Sequence, residues 1–253
     1  MKILPKDAVR HLEWECAEER KLPTKGSNYH GLVYASRGNI FLYVDGIDDI
    51  LIASRLSPVW ALCVHEGILY DAGGSHAIFR TMNNCRVATR DGIVYALCSH
   101  EGKLIDGGNY KEIRDTFSGK VIASRNRAVR ALCSHNGTLY DAAGSGNIYK
   151  TANNELIACR PSGVHALCSH LDKLYDAGSD RVIYDTVRHT AVAERQHTIS
   201  ALCSHGGKLY DAGYGNSIYD TIKGQKILRR GTIISALCGL HIDAIKSITG
   251  VKS

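Results

Sequence analysis

The tripeptide Ala-Leu-Cys begins at Ala61, Ala96, Ala131, Ala166, Ala201 and Ala236, each start 35 residues after the last with no insertion or deletion. A fixed period of this length marks a repeat architecture, in which one unit cannot bury its apolar face alone and stacks against copies of itself. The unit from Arg130 to His165 reads RALCSHNGTLYDAAGSGNIYKTANNELIACRPSGVH and holds four short apolar or alternating runs: ALCSH, TLYDA, NIYKT and ELIACR. Asn136-Gly137 between the first two is a type I′ hairpin signal, because both central residues of that turn need positive φ. Glu66-Gly67, Glu101-Gly102 and Gly206-Gly207 stand at the same place in their units. Strands of about five residues joined by short turns leave no room for a helix.

Four antiparallel strands per unit, repeated in register, predict an all-β chain built as a single closed β-propeller over residues 1–253. The ends are less regular. Gly31–Tyr34, Ile40-Phe41 and Ile52–Arg55 match the last three strands of a blade, and Ala8–Leu12 resembles Ala128–Leu132. This makes residues 8–60 a degenerate first blade. Downstream, Ile242–Ala244 matches Tyr210–Ala212 and Ser247-Ile248 matches Ser217-Ile218. Seven blades are therefore favoured, with Lys2–Leu4 at the N-terminus supplying the outer strand of the last blade and removing an open edge. In the six-blade alternative, residues 7–21 form an amphipathic helix and Ala236–Gly239 closes the ring.

Composition fits this reading. The 253 residues are 44% hydrophobic and 22% charged, which excludes a disordered chain. Gly 25 against Pro 4 suits many tight turns, and most of the Tyr 13 lie in the LYDA- and IYDT-type strands. No run of about 18 apolar residues predicts a membrane helix, so no membrane association is expected. The first residues are too charged for a secretory signal. The nine cysteines are then read as thiols in a reducing compartment, the cytoplasm. The net charge of +6 contains no block of like charges, so it permits an acidic partner without demanding one.

On its blade pattern the chain resembles β-propeller repeat proteins of the WD40 and kelch kind. It has neither the Gly-His and Trp-Asp dipeptides of the first nor the double glycine with paired aromatics of the second. No catalytic residue is carried over. The resemblance implies a non-catalytic interaction scaffold, with no cofactor and with a protein or peptide as partner.

A residue demanded in every blade is most simply explained by the blade. Cys63, Cys98, Cys133, Cys168, Cys203 and Cys238 lie on the innermost strand, where a small buried hydrophobe suits the tight face between blades. A zinc site would need four converging ligands, and repeated Cys-x-His pairs supply only half-sites, so no metal is expected. His65, His100, His135, His170 and His205 end the same strand. A two-residue hairpin sets His100 opposite Lys103 and Leu97 opposite Asp106, which keeps His and Asp apart. A His–Thr or His–backbone hydrogen bond is the expected partner, with Thr81, Thr116, Thr151, Thr186 and Thr221 nearby. Asp71, Asp106, Asp141, Asp176 and Asp211 approach the opposite, top face, as do Arg55, Arg90, Arg125, Arg160, Arg195 and Arg230. The two sets predict a repeated Arg–carboxylate bridge, within the blade or to the next.

Function is sought where the repeat breaks. The residue before each Ala-Leu-Cys opens the inner strand at the top mouth of the channel. Read round the ring from Arg10, it runs Trp60, Tyr95, Arg130, His165, Ser200 and Ser235. Trp, Tyr and Arg dominate binding hot spots. The top-face turns add His76, Tyr110, Lys111, Arg181 and Tyr214. These residues are expected to grip a protein, peptide or other polar partner. A propeller binding RNA or single-stranded nucleic acid is the alternative, with the same rings stacking on bases. A hydrolase or lyase site in the channel ranks last, because no GxSxG or phosphate-binding glycine loop is present.

Overall fold

A computed structural model describes residues 31–44 and 47–240. They form six four-stranded antiparallel sheets arranged as the blades of a ring. Blades I to V take their inner strands from Val59–His65, Val94–His100, Val129–His135, Val164–His170 and Ile199–His205. Blade III shows the local logic. Val129–His135, Thr138–Ala143, Asn147–Lys150 and Glu155–Cys159 follow one another outward from the channel. Asn136 and Gly137 sit at φ 48° and 72°, the left-handed pair that the hairpin signal predicts. The expected register holds in blade II, where His100 faces Lys103 and Leu97 faces Asp106.

The blade count corrects the favoured reading. Ala236–Leu240 opens no seventh blade. It is the inner strand of blade VI, pairing antiparallel with Gly31–Ser36, which is followed outward by Asn39–Val44 and Ile47–Ser54. Leu237 lies opposite Tyr34 just as Leu202 lies opposite Asp211, so the last Ala-Leu-Cys takes the place assigned to Ala8–Leu12. One strand fills that place, and Ala236–Leu240 carries the full repeat pattern that suits it. The assignments of the second, third and outer strands of this blade stand. Lys2–Leu4, Ala8–Leu12, residues 7–21, Ile242–Ala244 and Ser247-Ile248 lie outside the described residues. No helix of the described residues is long and apolar enough to cross a membrane.

Each blade packs one face on the next. Ala61, Cys63, Tyr70 and Ile78 of blade I meet Val94, Leu97 and Leu104 of blade II, and the same types recur around the ring. The inner-strand cysteines of blades I to V are buried as expected, and burial pushes the thiols of Cys98 and Cys168 up to about 12. Near the bottom of the channel four of the inner-strand histidines bond the next blade. His65 Nδ1 pairs with Ser99 Oγ at 2.9 Å, His100 with Ser134 at 2.9 Å, His135 with Ser169 at 2.8 Å and His170 with Ser204 at 2.8 Å. The partner is thus a neighbouring serine, not the expected threonine or backbone.

The threonines serve the other series. Thr116, Thr151 and Thr221 donate to Asp106, Asp141 and Asp211 at 2.8–2.9 Å. Each of these carboxylates also receives two bonds from an arginine at the outer end of the preceding blade. Arg125 Nε donates to Asp141 at 2.7 Å, and the same fork recurs at Arg55–Asp71, Arg90–Asp106, Arg160–Asp176 and Arg195–Asp211. The planar guanidinium matches a carboxylate with two parallel bonds, which makes it a rigid tie between blades. Four of these arginines also lie over an aromatic ring of the next blade, Phe79, Tyr149, Tyr184 or Tyr219, at 4.2–5.1 Å from its centroid. Blade VI differs: Tyr34 stands at the aspartate position, and Arg230 binds its Oη at 2.7 Å and pairs with Asp49.

Candidate functional site

The top mouth of the channel is built from the first inward residue of each inner strand. Trp60, Tyr95, Arg130, His165, Ser200 and Ser235 all line it, one per blade in ring order. The strand places them there because the bulge beside each of these residues in blades I to V turns its side chain toward the axis, as between Val129 and Ala131. Trp60 and Tyr95 meet edge to face, with centroids 6.5 Å apart and planes at 61°. The Arg130 guanidinium lies over the Tyr95 ring at 3.9 Å. His165 Nε2 is hydrogen-bonded to Ser179 Oγ at 2.7 Å, a serine that the sequence reading did not single out. Burial, and then the charge of Arg130, hold the His165 imidazole below its usual pKa.

The remaining two positions turn inward to the scaffold. Ser200 Oγ donates to the Ile234 carbonyl at 2.8 Å and Ser235 Oγ to the Val59 carbonyl at 2.6 Å. Half of the mouth is therefore a stacked aromatic and cationic crescent, and half is low and hydroxylic. Below it, Leu62, Leu97, Leu132, Leu167, Leu202 and Leu237 form a collar, each 7–8% exposed. The cavity above the collar measures about 70 Å³. Small-molecule sites run to several hundred Å³. This mouth suits the tip of an inserted side chain.

No known protein family matches the chain, and no curated protein matches it. Solved structures do. A chain of the nidogen/laminin complex superposes with a TM-score of 0.70 at 14% identity, over 83% of this chain and 98% of that one. The WD40 β-propeller domain of Doa1 gives 0.61 at 13% identity, over 85% and 87%. The fold is a β-propeller. At such identities the likeness concerns the fold alone.

The other predicted residues scatter over the top of the propeller. His76, Lys111 and Arg181 occupy the same turn position in blades I, II and IV, at φ 62–70°, and are exposed. Their carbonyls accept from the backbones of Arg90, Arg125 and Arg195, so the backbone is fixed while the side chain is free to vary. Tyr214 is 48% exposed on blade V. Tyr110 departs from expectation: its hydroxyl donates to Asp106, inside the bridge of blade II. Arg10 lies outside the described residues. Among the described residues no three His, Cys, Asp or Glu side chains group to hold a metal.

Proposed function

We propose that this propeller is a non-catalytic scaffold whose top mouth binds a peptide or loop of a partner protein through Trp60, Tyr95, Arg130 and His165. The observation that carries this reading is the continuous crescent of those four side chains on successive blades. Stacking orders Trp60, Tyr95 and Arg130, and the bond to Ser179 orders His165, before a partner arrives, which lowers the entropy lost on binding. Arg130 offers the charge for a carboxylate, and the rings offer broad apolar faces beside it. His76, Lys111, Arg181 and Tyr214 extend the surface outward; Tyr110, committed to Asp106, is left out. The nucleic-acid alternative has less support, because Arg55, Arg90, Arg125, Arg160 and Arg195 are each neutralised by an aspartate.

Selection of a displayed random-peptide library on the wild type, counter-selected on a Trp60→Ala/Tyr95→Ala/Arg130→Ala variant, tests this. Peptides carrying Asp or Glu should be enriched and should bind the variant at least about tenfold more weakly, the scale of a lost hot spot. Equal binding to both proteins refutes the location. Tight single-stranded RNA binding with a steep salt dependence would instead favour the alternative.

A further inference from the structure

A second site lies between blades IV and V, away from the mouth and independent of it. A cleft of about 360 Å³ opens there above one of the buried bridges, lined by Arg195, His197, Asp211, Gly213, Ser217 and Tyr219. Its size is that of a small-ligand site. Blade II shows one chemistry that can fill such a place.

In blade II the same region is filled from within. Tyr110 reaches in from the turn between the second and third strands and donates its hydroxyl to Asp106 Oδ1, which also accepts from Arg90 Nε at 2.8 Å. Glu112 holds Arg114 beside it. Counting residues along the repeat, the blade V equivalent of Tyr110 is Gly215, and that of Glu112 is Ser217. Blades I, III and IV carry Ser75, Ser145 and Asp180 at the Tyr110 position, so Tyr110 is the large exception and Gly215 the smallest residue of the set. The bridge beneath is retained: Asp211 Oδ1 accepts from Arg195 Nε at 2.8 Å, and Oδ2 from Arg195 Nη2 at 2.6 Å and from Thr221 at 2.9 Å. Among the described residues no side chain takes the place at Oδ1 that the Tyr110 hydroxyl takes in blade II. The opening shows on the arginine as well, whose side chain is 15% exposed against 7–9% at the other four bridges.

The opposite wall has changed as well. Gly92, under Tyr110's neighbour Asn109, corresponds to His197 in blade V, whose ring stands 3.2 Å from where a Cβ on residue 215 would lie. The side chain nearest Gly92 is that of Asn109, whose blade V counterpart is Tyr214, so this wall gains a larger group at residue 197 without a matching exchange across it. His197 is exposed and lines the cleft.

We propose that the blade V cleft binds a phenol, either a free para-substituted phenol or the tyrosine side chain of a partner, whose hydroxyl donates to Asp211 Oδ1 as Tyr110 donates to Asp106. The ring packs against Tyr219 and His197, and its hydroxyl adds a fourth hydrogen bond to a carboxylate that already accepts three, which a bare ring cannot do.

The test uses p-cresol as the probe, titrated into the isotope-labelled full chain, with toluene as the ring lacking the hydroxyl. Resonances of Gly213, Gly215 and Ser217 should shift and saturate with p-cresol, at an affinity about tenfold or more above that for toluene, as a hydrogen bond to a charged group provides. A His197→Gly/Gly215→Tyr variant reproduces the Gly92/Tyr110 pair, fills the cleft and should lose p-cresol binding by at least the same factor. The wild-type comparison decides the matter without the variant should it not fold. No saturable shift at these residues, equal affinity for toluene, or unchanged binding to a folded filled variant overturns the proposal. N-acetyltyrosine amide separates the sources: binding with p-cresol-like affinity assigns the site to a tyrosine side chain, and p-cresol binding without it assigns a small phenol.

Discussion

Leu240 and Val64 share one apolar cluster at the junction of blades VI and I, in the positions held elsewhere by the bonded histidine and serine. The pair changes together. A serine facing Leu240, or a histidine facing Val64, would bury a polar group with no partner, at a cost of roughly 1–3 kcal/mol. Chemical unfolding of Val64→Ser and Leu240→His should show destabilisation of that order for each single variant. The double variant should recover at least about 1 kcal/mol through a restored bond. Strict additivity would deny that the two positions form one contact.

Asp141 and Arg125 form a bridge with side chains 0% and 7% exposed. Asp141→Asn leaves a guanidinium buried without its counter-charge, which costs about 3–5 kcal/mol. Arg230→Ala should cost less, because that side chain is one-third exposed. Urea denaturation of the two variants gives the order directly, and an inverted order would contradict the bridge assignment.

His165 and His170 both sit below the usual imidazole value of 6.5, each mainly because burial disfavours the charged ring. Between their lowered values and 6.5 the folded protein binds fewer protons than the unfolded one. Stability therefore falls as pH drops through that window and is fully present above it. Thermal melts on either side of pH 6.5 should show the loss. NMR titration of Arg130→Ala should find the His165 value raised toward 6.5, since the neighbouring charge is gone.

Thiol chemistry should divide the cysteines by position. Cys85 and Cys159 are exposed, whereas burial holds Cys98 and Cys168 at about 12 and Cys238 at about 11. Brief maleimide treatment at neutral pH, read by mass spectrometry, should label the first two and spare Cys63, Cys98, Cys133, Cys168, Cys203 and Cys238 until the protein unfolds. Labelling of the inner-strand cysteines in the native protein would show the blade interfaces to be open.

Much of this was legible in the chain. Turn chemistry at Asn136-Gly137 and the alternation of ALCSH and TLYDA predict the strands and their register. Blade number was not, because Ala8–Leu12 and Ala236–Leu240 compete for one place on similar local patterns, and only the closing sheet decides between them. The His–Ser bonds escaped for a related reason: the partner lies 34 residues on, at a position that only the packing of adjacent blades brings near. At the site, the break in the repeat at Trp60, Tyr95, Arg130 and His165 was visible as variation. The blade V cleft is lined by Gly215, and the chemistry proposed for it can be read only beside the Tyr110–Asp106 contact of blade II.

Pairing of Tyr34 with Leu237 joins strands about two hundred residues apart, so the ring cannot close before residue 240 has been made. At ribosomal speeds of about 5–20 residues per second, the strands at residues 31–54 wait roughly 10–40 s for the strand that completes their blade. Throughout that interval Val33, Ile40 and Leu42, fully buried in the finished ring, lie beside an unpaired edge. The nascent chain is then most open to aggregation and to holdase chaperones, and the arrival of Ala236–Leu240 ends that exposure.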